Sequence, residues 1–253
     1  MTQTIDLNAD LGEMPESEDR DIAILDIVSS CNIACGGHAG SKDSMATMLA
    51  AAKARGVAAG AHPSYPDRAN FGRQSIDMTP DALADSIVQQ LTAYAEAARD
   101  AGHAVHHVKP HGALYNDMAD DTDLAMAVAH ACAQVFPGAA LVGLAGSAVR
   151  DAAQAAGLPF IAEAFVDRRY TPDARLLSRS EPGAVLADSL ERANQAVALA
   201  TGAAIEASDG SALTIRADSL CLHSDSEAAL ESASAIRAAL EQANLTIRPA
   251  AGT

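Results

Sequence analysis

Carboxylates, imidazoles, one lysine and two arginines recur at short intervals along this chain, each group just after an apolar run. Asn8, Asp10 and Glu13 come first. Asn32 and His38 follow, then His62 and Asp67, then Lys109, His111 and Asn116. Glu163, Asp167, Arg168 and Arg169 form a further group, and His223 and Asp225 the last. Such a set suits hydrolysis by general acid–base catalysis, with or without a divalent metal. A planar guanidinium matches a carboxylate or phosphate, so Arg168 and Arg169 read as an anion clamp. Plainer roles compete at single positions: Asp10 can simply end a strand, and Asp225 can cap a helix. His103, His106 and His107 read as structural or surface residues, and His130 as a helix-surface residue. Signatures for nucleotide-binding loops, zinc proteases and serine hydrolases are missing.

The elements that must carry these residues alternate. Candidate strands are Thr4–Ala9, Ile27–Ala34, Val57–Ala61, Val105–Pro110, Ala140–Leu144, Phe160–Ala164 and Ser219–His223. Thr79 caps a helix whose first residue is Pro80; Leu83, Ile87, Leu91, Tyr94 and Ala98 form its stripe, and Gly102 ends it. Ser41 or Asp43 starts another that ends at Gly56. Asp117–Phe136, Ser147–Ala156, Glu181–Thr201 and Ser226–Ala243 complete the helices. Leu11–Asp26 reads as irregular, and a long loop follows the sixth strand. Strand–helix–strand repeats imply parallel pairing with right-handed crossovers. Seven or eight of them fit a closed (β/α) barrel, TIM-barrel-like, spanning residues 1–253 as one domain. All the polar groups then meet at the C-terminal mouth, where this architecture places its active sites.

Composition narrows the partners. The 253 residues carry 17 basic and 33 acidic side chains, a formal charge of −16. That balance argues against nucleic acid and polybasic membrane contacts and leaves room for a small-molecule substrate. The 59 alanines make helices and fill little volume. Cys31, Cys35, Cys132 and Cys221 are too few and too scattered for a disulfide framework and read as buried thiols. The N-terminus has no leader pattern and no run of about 18 apolar residues occurs, so a cytoplasmic protein is expected. Assembly into a homo-oligomer is left open.

Seven ordered blocks then carry a resemblance: NADLGE from Asn8, NIACGGHAGS from Asn32, GAHPSYPD from Gly60, FGR from Phe71, VKPHGALYN from Val108, EAFVDRRY from Glu163 and LCLHSD from Leu220. Together they resemble the LamB/YcsF family, whose characterised role is the A subunit of a 5-oxoprolinase. The resemblance implies a barrel related to glycoside hydrolases and polysaccharide deacetylases. It implies hydrolytic, ATP-dependent opening of the 5-oxoproline lactam to L-glutamate, with ATP used through the complex by partner subunits B and C. Asp10, His38, His62, Lys109, His111 and His223 are then expected to be catalytic. Asn8, Glu13, Glu163, Asp167, Arg168 and Asp225 are expected to bind substrate. Asp10 with His38 or His62 would activate water, Lys109 and Arg168 would hold the anion, and His111 or His223 would protonate the departing nitrogen. Two alternatives stand beside this: a metal-dependent deacetylase or amidohydrolase holding a divalent ion on Asp10, His38 and His62, and a non-catalytic ligand-binding subunit. Gly37, Ser41 and Ser224 stand where the family usually has Phe, Asp and Gly. The first change is expected to open space beside His38, the second to remove an acid from the rim, with consequences for the substrate.

Overall fold

Strand β1 (Thr4–Leu11) shows how the sequence builds the barrel. Successive side chains alternate between faces, so Ile5, Leu7, Ala9 and Leu11 join the apolar core outside the sheet. Asp6, Asn8 and Asp10 point inward: Asp6 and Asn8 bond to Ser219 of the neighbouring strand, and Asp10 bonds to Lys109 from across the ring. A computed structural model describes residues 3–222 and 229–252. A 3-10 turn (Pro15–Ser17) and helix α1 (Glu18–Ile24) follow β1 within the stretch expected to be irregular. Then come β2 (Ser30–Ala34), α2 (Lys42–Arg55), β3 (Ala58–His62), α3 (Pro80–Ala101) and β4 (Val105–Val108). Next are α4 (Gly112–Asp120), α5 (Thr122–Val135), β5 (Ala140–Leu144), α6 (Val149–Ala155) and β6 (Phe160–Phe165). The chain continues through α7 (Ser189–Thr201), the hairpin strands β7 (Ile205–Glu206) and β8 (Ala212–Leu213), β9 (Ser219–Leu222), α8 (Ala229–Gln242) and β10 (Thr246–Ile247).

Strands β1 to β6 pair in sequence order, β9 pairs with β6, and β9 returns to β1, all in parallel. The expected closed (β/α) barrel is therefore present, with seven strands in the ring. Strand β10 adds to the start of β1, below the point where β9 takes over. Helices pack their apolar stripes against the outside of the ring, and one continuous core joins them. The Thr79 cap, Pro80 and the left-handed Gly102 bound α3 as expected. Ser41 and Ser44 form a reciprocal capping box on α2, and Gly56 ends it.

Two expected helices differ. The run Asp117–Phe136 is split, because Asp121 takes an extended backbone and its side chain accepts the Leu124 N–H, starting a new helix. The helix expected from Glu181 starts at Ser189 under an Asp188 cap. The preceding residues instead form a strap over the mouth, with antiparallel bridges Arg168–Val185 and Tyr170–Leu176. No helix among the described residues is long and apolar enough to cross a membrane.

Candidate functional site

The last inward residue of β1, Asp10, meets the lysine that follows β4. Lys109 Nζ lies 2.9 Å from Asp10 Oδ1, 2.9 Å from Glu163 Oε1 and 3.0 Å from Cys221 Sγ. Burial works against its charge, but the Asp10 and Glu163 carboxylates outweigh this and hold the ammonium well above the ordinary lysine range. Lys109 is therefore a fixed positive charge rather than a base. Asn32 Nδ2 donates to Asp10 Oδ1 at 2.8 Å, and Asn8 Nδ2 donates to Glu163 Oε1 at 2.9 Å. Burial pushes the Cys221 thiol well up, so it stays neutral beside the ammonium.

A wall of imidazoles stands next to this floor. The His62 Nδ1–H donates to the Lys109 carbonyl at 2.7 Å, which turns Nε2 toward Asp10 Oδ2 at 3.4 Å and His111 Nδ1 at 3.0 Å. His111 Nε2–H donates to the Phe71 carbonyl at 3.0 Å, turning its Nδ1 toward Glu13 Oε1 at 3.3 Å. His38 stacks on His111, centroids 3.7 Å apart, and its Nε2 is 3.1 Å from Glu13 Oε1. Burial and the neighbouring imidazoles hold His38 and His111 well below the usual histidine range. His62 goes the other way: burial opposes its charge, but the Asp10 carboxylate overrides it and raises the group. The loop that brings the Phe71 carbonyl here is strained, since Phe71 has φ 56°, a conformation bulky residues rarely adopt. Gly72 beside it has no side chain, and a Cβ there would lie 2.8 Å from His38 Cβ.

One ligand atom from each of Glu13, His38, His62 and His111 lies within 4.8 Å of the others. The sequence pattern suggests Asp10, His38 and His62 around an ion. The structure groups Glu13 and His111 with the two histidines, while Asp10 Oδ1 is engaged by Lys109 and Asn32 and its Oδ2 lies 3.4 Å from His62 Nε2.

Floor and wall open into a cavity of about 450 Å³. Asp10, Glu13, His62, Lys109 and His111 line it, together with Arg168 and the strap residues Leu176–Arg179. His38, Asn8, Glu163 and Asp167 are buried and are not part of this lining. His223 and Asp225 lie outside the described residues. The anion clamp needs correcting. Arg168 donates to the carbonyls of Leu177 and Ala184 and so staples the strap, while Arg169 faces Glu191 and Glu206 on the outside. Gln195 of α7 adds donations to the Phe165, Val166 and Arg168 carbonyls. Arg73 and Arg179 supply the other guanidiniums of the lining; neither stands out in the sequence, although Arg73 lies in the FGR block. Neither Gly37 nor Ser41 is part of the lining. Space beside Gly37 is filled rather than open: a Cβ there would lie 2.3 Å from Gln90 Oε1 and 2.4 Å from Ser64 Oγ. Ser41 caps α2 on the surface, and Ser224 lies outside the described residues.

A closed parallel ring whose acids, imidazoles and ammonium converge at the C-terminal mouth is an α/β barrel with its candidate active site at the end where such barrels place it. The chain belongs to the LamB/YcsF family, whose family model matches residues 5–253. It is 48% identical over 252 residues, covering 99% of this chain and 98% of the relative, to a Pseudomonas syringae pv. tomato protein named as a 5-oxoprolinase A subunit. It is 45% identical to another protein named as a 5-oxoprolinase A subunit, from Agrobacterium fabrum, covering 96% of each chain. Its fold is similar to that of the lactam utilization protein from Thermus thermophilus, with a TM-score of 0.89 and 39% identity over 97% of this chain and 99% of that one. The Xyl-CE4 domain of a multidomain xylanase, from a Trinervitermes trinervoides hindgut metagenome, shares the fold alone, at a TM-score of 0.50 and 14% identity over 98% of this chain and 87% of that one.

Proposed function

We propose that this chain is the ring-opening A subunit of a cytoplasmic ATP-dependent 5-oxoprolinase, converting 5-oxoproline to L-glutamate with partner subunits B and C. The relatives' names support the substrate class. The observation that carries the chemistry is the buried Lys109 ammonium between Asp10 and Glu163 at the floor of a cavity of small-molecule size, beside His62. A lactam amide is resonance-stabilised, so the partners activate its oxygen by phosphorylation. Water then adds to the ring carbon and the C–N bond breaks as the nitrogen takes a proton, which leaves an acyl phosphate. A second water hydrolyses it, so that phosphate departs and the carboxylate of glutamate forms. Lys109 stabilises the developing negative charge. Asp10 Oδ2 orients and deprotonates the water, and His62 is the better proton donor because Asp10 favours its charged form.

A second reading, a metal-dependent hydrolase, is favoured by one observation. The far ring nitrogens of His62 and His111 are both tied to backbone carbonyls, which is how ligating histidines are oriented. Glu13, His38, His62 and His111 fit a divalent cation. Bound there, it would polarise a carbonyl or lower the pKa of a water.

The test is glutamate release from 5-oxoproline and ATP, by this chain alone and with the partner subunits added. Release only in the mixture supports the ring-opening role; no release in any mixture overturns it. Metal analysis of the purified chain, with activity before and after chelation, separates the second reading from the first.

A further inference from the structure

His107 enters none of the roles above, yet the barrel goes to some length to place it. Ala59 pairs with Val105 and Ala61 with Val108, so Gly60 of β3 faces two residues of β4, His106 and His107. Such a bulge re-aims a side chain. Here His107 is buried, with Nε2 2.6 Å from Asn32 Oδ1. Gly60 makes the room, since a Cβ there would lie 2.3 Å from His107 Cδ2 and 2.4 Å from Nε2.

The directions of the hydrogen bonds follow by elimination. Asp10 carries a carboxylate held by Lys109 and accepts only, so the group Asn32 turns toward it at 2.8 Å must be its NH₂. Asn32 Oδ1 therefore faces His107, and His107 Nε2 must carry the hydrogen. Its Nδ1 is then an acceptor and takes the His106 Nδ1–H at 3.0 Å. The other Asn32 amide hydrogen goes to Asn8 Oδ1 at 2.8 Å. Asn8 Nδ2 must then donate, and it does so to Glu163 Oε1 at 2.9 Å and Ser219 Oγ at 2.7 Å.

We propose that His107 is a positioning residue: its Nε2–H fixes the Asn32 amide, and through Asn32 and Asn8 it aims donors at Asp10 and Glu163, the two carboxylates that hold Lys109. Without that hydrogen the Asn32 amide can turn over and present its oxygen to Asp10. Burial and the neighbouring His106 and Lys109 keep His107 neutral, as this role requires. The activity arm of the test rests on the 5-oxoprolinase reading; the spectroscopic arm does not.

In the complex, H107L should lower kcat about 10–100-fold with KM within threefold, and H107Q, whose amide can restore a donor near the Nε2 position, should recover most of it. Equal loss in both variants, or no loss in H107L, would overturn the proposal. On the free wild-type chain, long-range ¹⁵N–¹H correlation should show His107 with hydrogen on Nε2, and the Asn32 side-chain amide should resist exchange. Hydrogen on Nδ1 would sink the idea even if H107L fails to fold. A wild-type complex that releases no glutamate would refute the proposed function and leave the spectroscopic arm decisive.

Discussion

Asp6 and Asp10 share the inward face of β1, one turned toward each end of the barrel, and their surroundings are opposite in kind. Asp6 is held by hydroxyls: Ser29 and Ser219 donate at 2.6 Å and Ser30 at 2.8 Å. Burial raises its carboxyl, and the three serines and distant His106 only partly offset this. Asp10 faces an ammonium, an amide and an imidazole. Neutral hydroxyls satisfy a carboxylate's lone pairs without supplying charge; Lys109 supplies charge and does so at the cavity. The lower layer fastens strands together, and the upper one keeps an ion pair ready beside the space where a ligand sits.

Removing the ammonium should break the comparison most severely. K109M leaves Asp10 and Glu163 buried without their cation. We expect glutamate release in the complex to fall about 10²–10³-fold and unfolding free energy to drop by about 3–5 kcal/mol. Wild-type turnover would remove Lys109 from the site. D10N keeps the shape and loses the charge; activity should fall about 10²-fold with thermal unfolding much less affected than in K109M. D6N makes the same exchange at the other end and should leave turnover within twofold. Its effect is on pH. Because the Asp6 carboxyl is raised in the folded chain, its contribution is present at low pH and lost as pH rises through the raised value. An asparagine has nothing to lose, so D6N should melt progressively higher than wild type as pH increases, and the two should converge in acid. A gap that does not change with pH would contradict the assignment. The smallest change is S30A, about 1 kcal/mol less stable with unaltered turnover, read by denaturant unfolding.

Much of this layout is visible in the one-dimensional string because local rules decide it. Alternation in TIDLNADL sets which residues face inward, and Thr79, Pro80 and Gly102 mark a helix without help from the rest of the fold. Polar residues at strand ends converge because a barrel puts those ends together, which is how Asp10, His62, Lys109 and His111 could be grouped. Features set by pairing across strands are hidden. The β4 bulge depends on the partner β3, so His107 reads as one more structural histidine. Arg168 looks like an anion clamp because its type suggests one; that the Leu177 and Ala184 carbonyls fold back onto it depends on the strap's path. Asp121 is one acid among several until its backbone turns out extended.

The stapled strap has a consequence for affinity. Arg168 and Gln195 tie residues 166–188 to the end of β6 and to α7 through backbone carbonyls, bonds that no substrate has to make. A wall assembled in advance loses little conformational freedom when a guest arrives, so more of the guest's contact energy is retained as binding. Selectivity at this mouth is then a matter of fit to a ready-made shape, read out by which small cyclic acids enter and which are turned away.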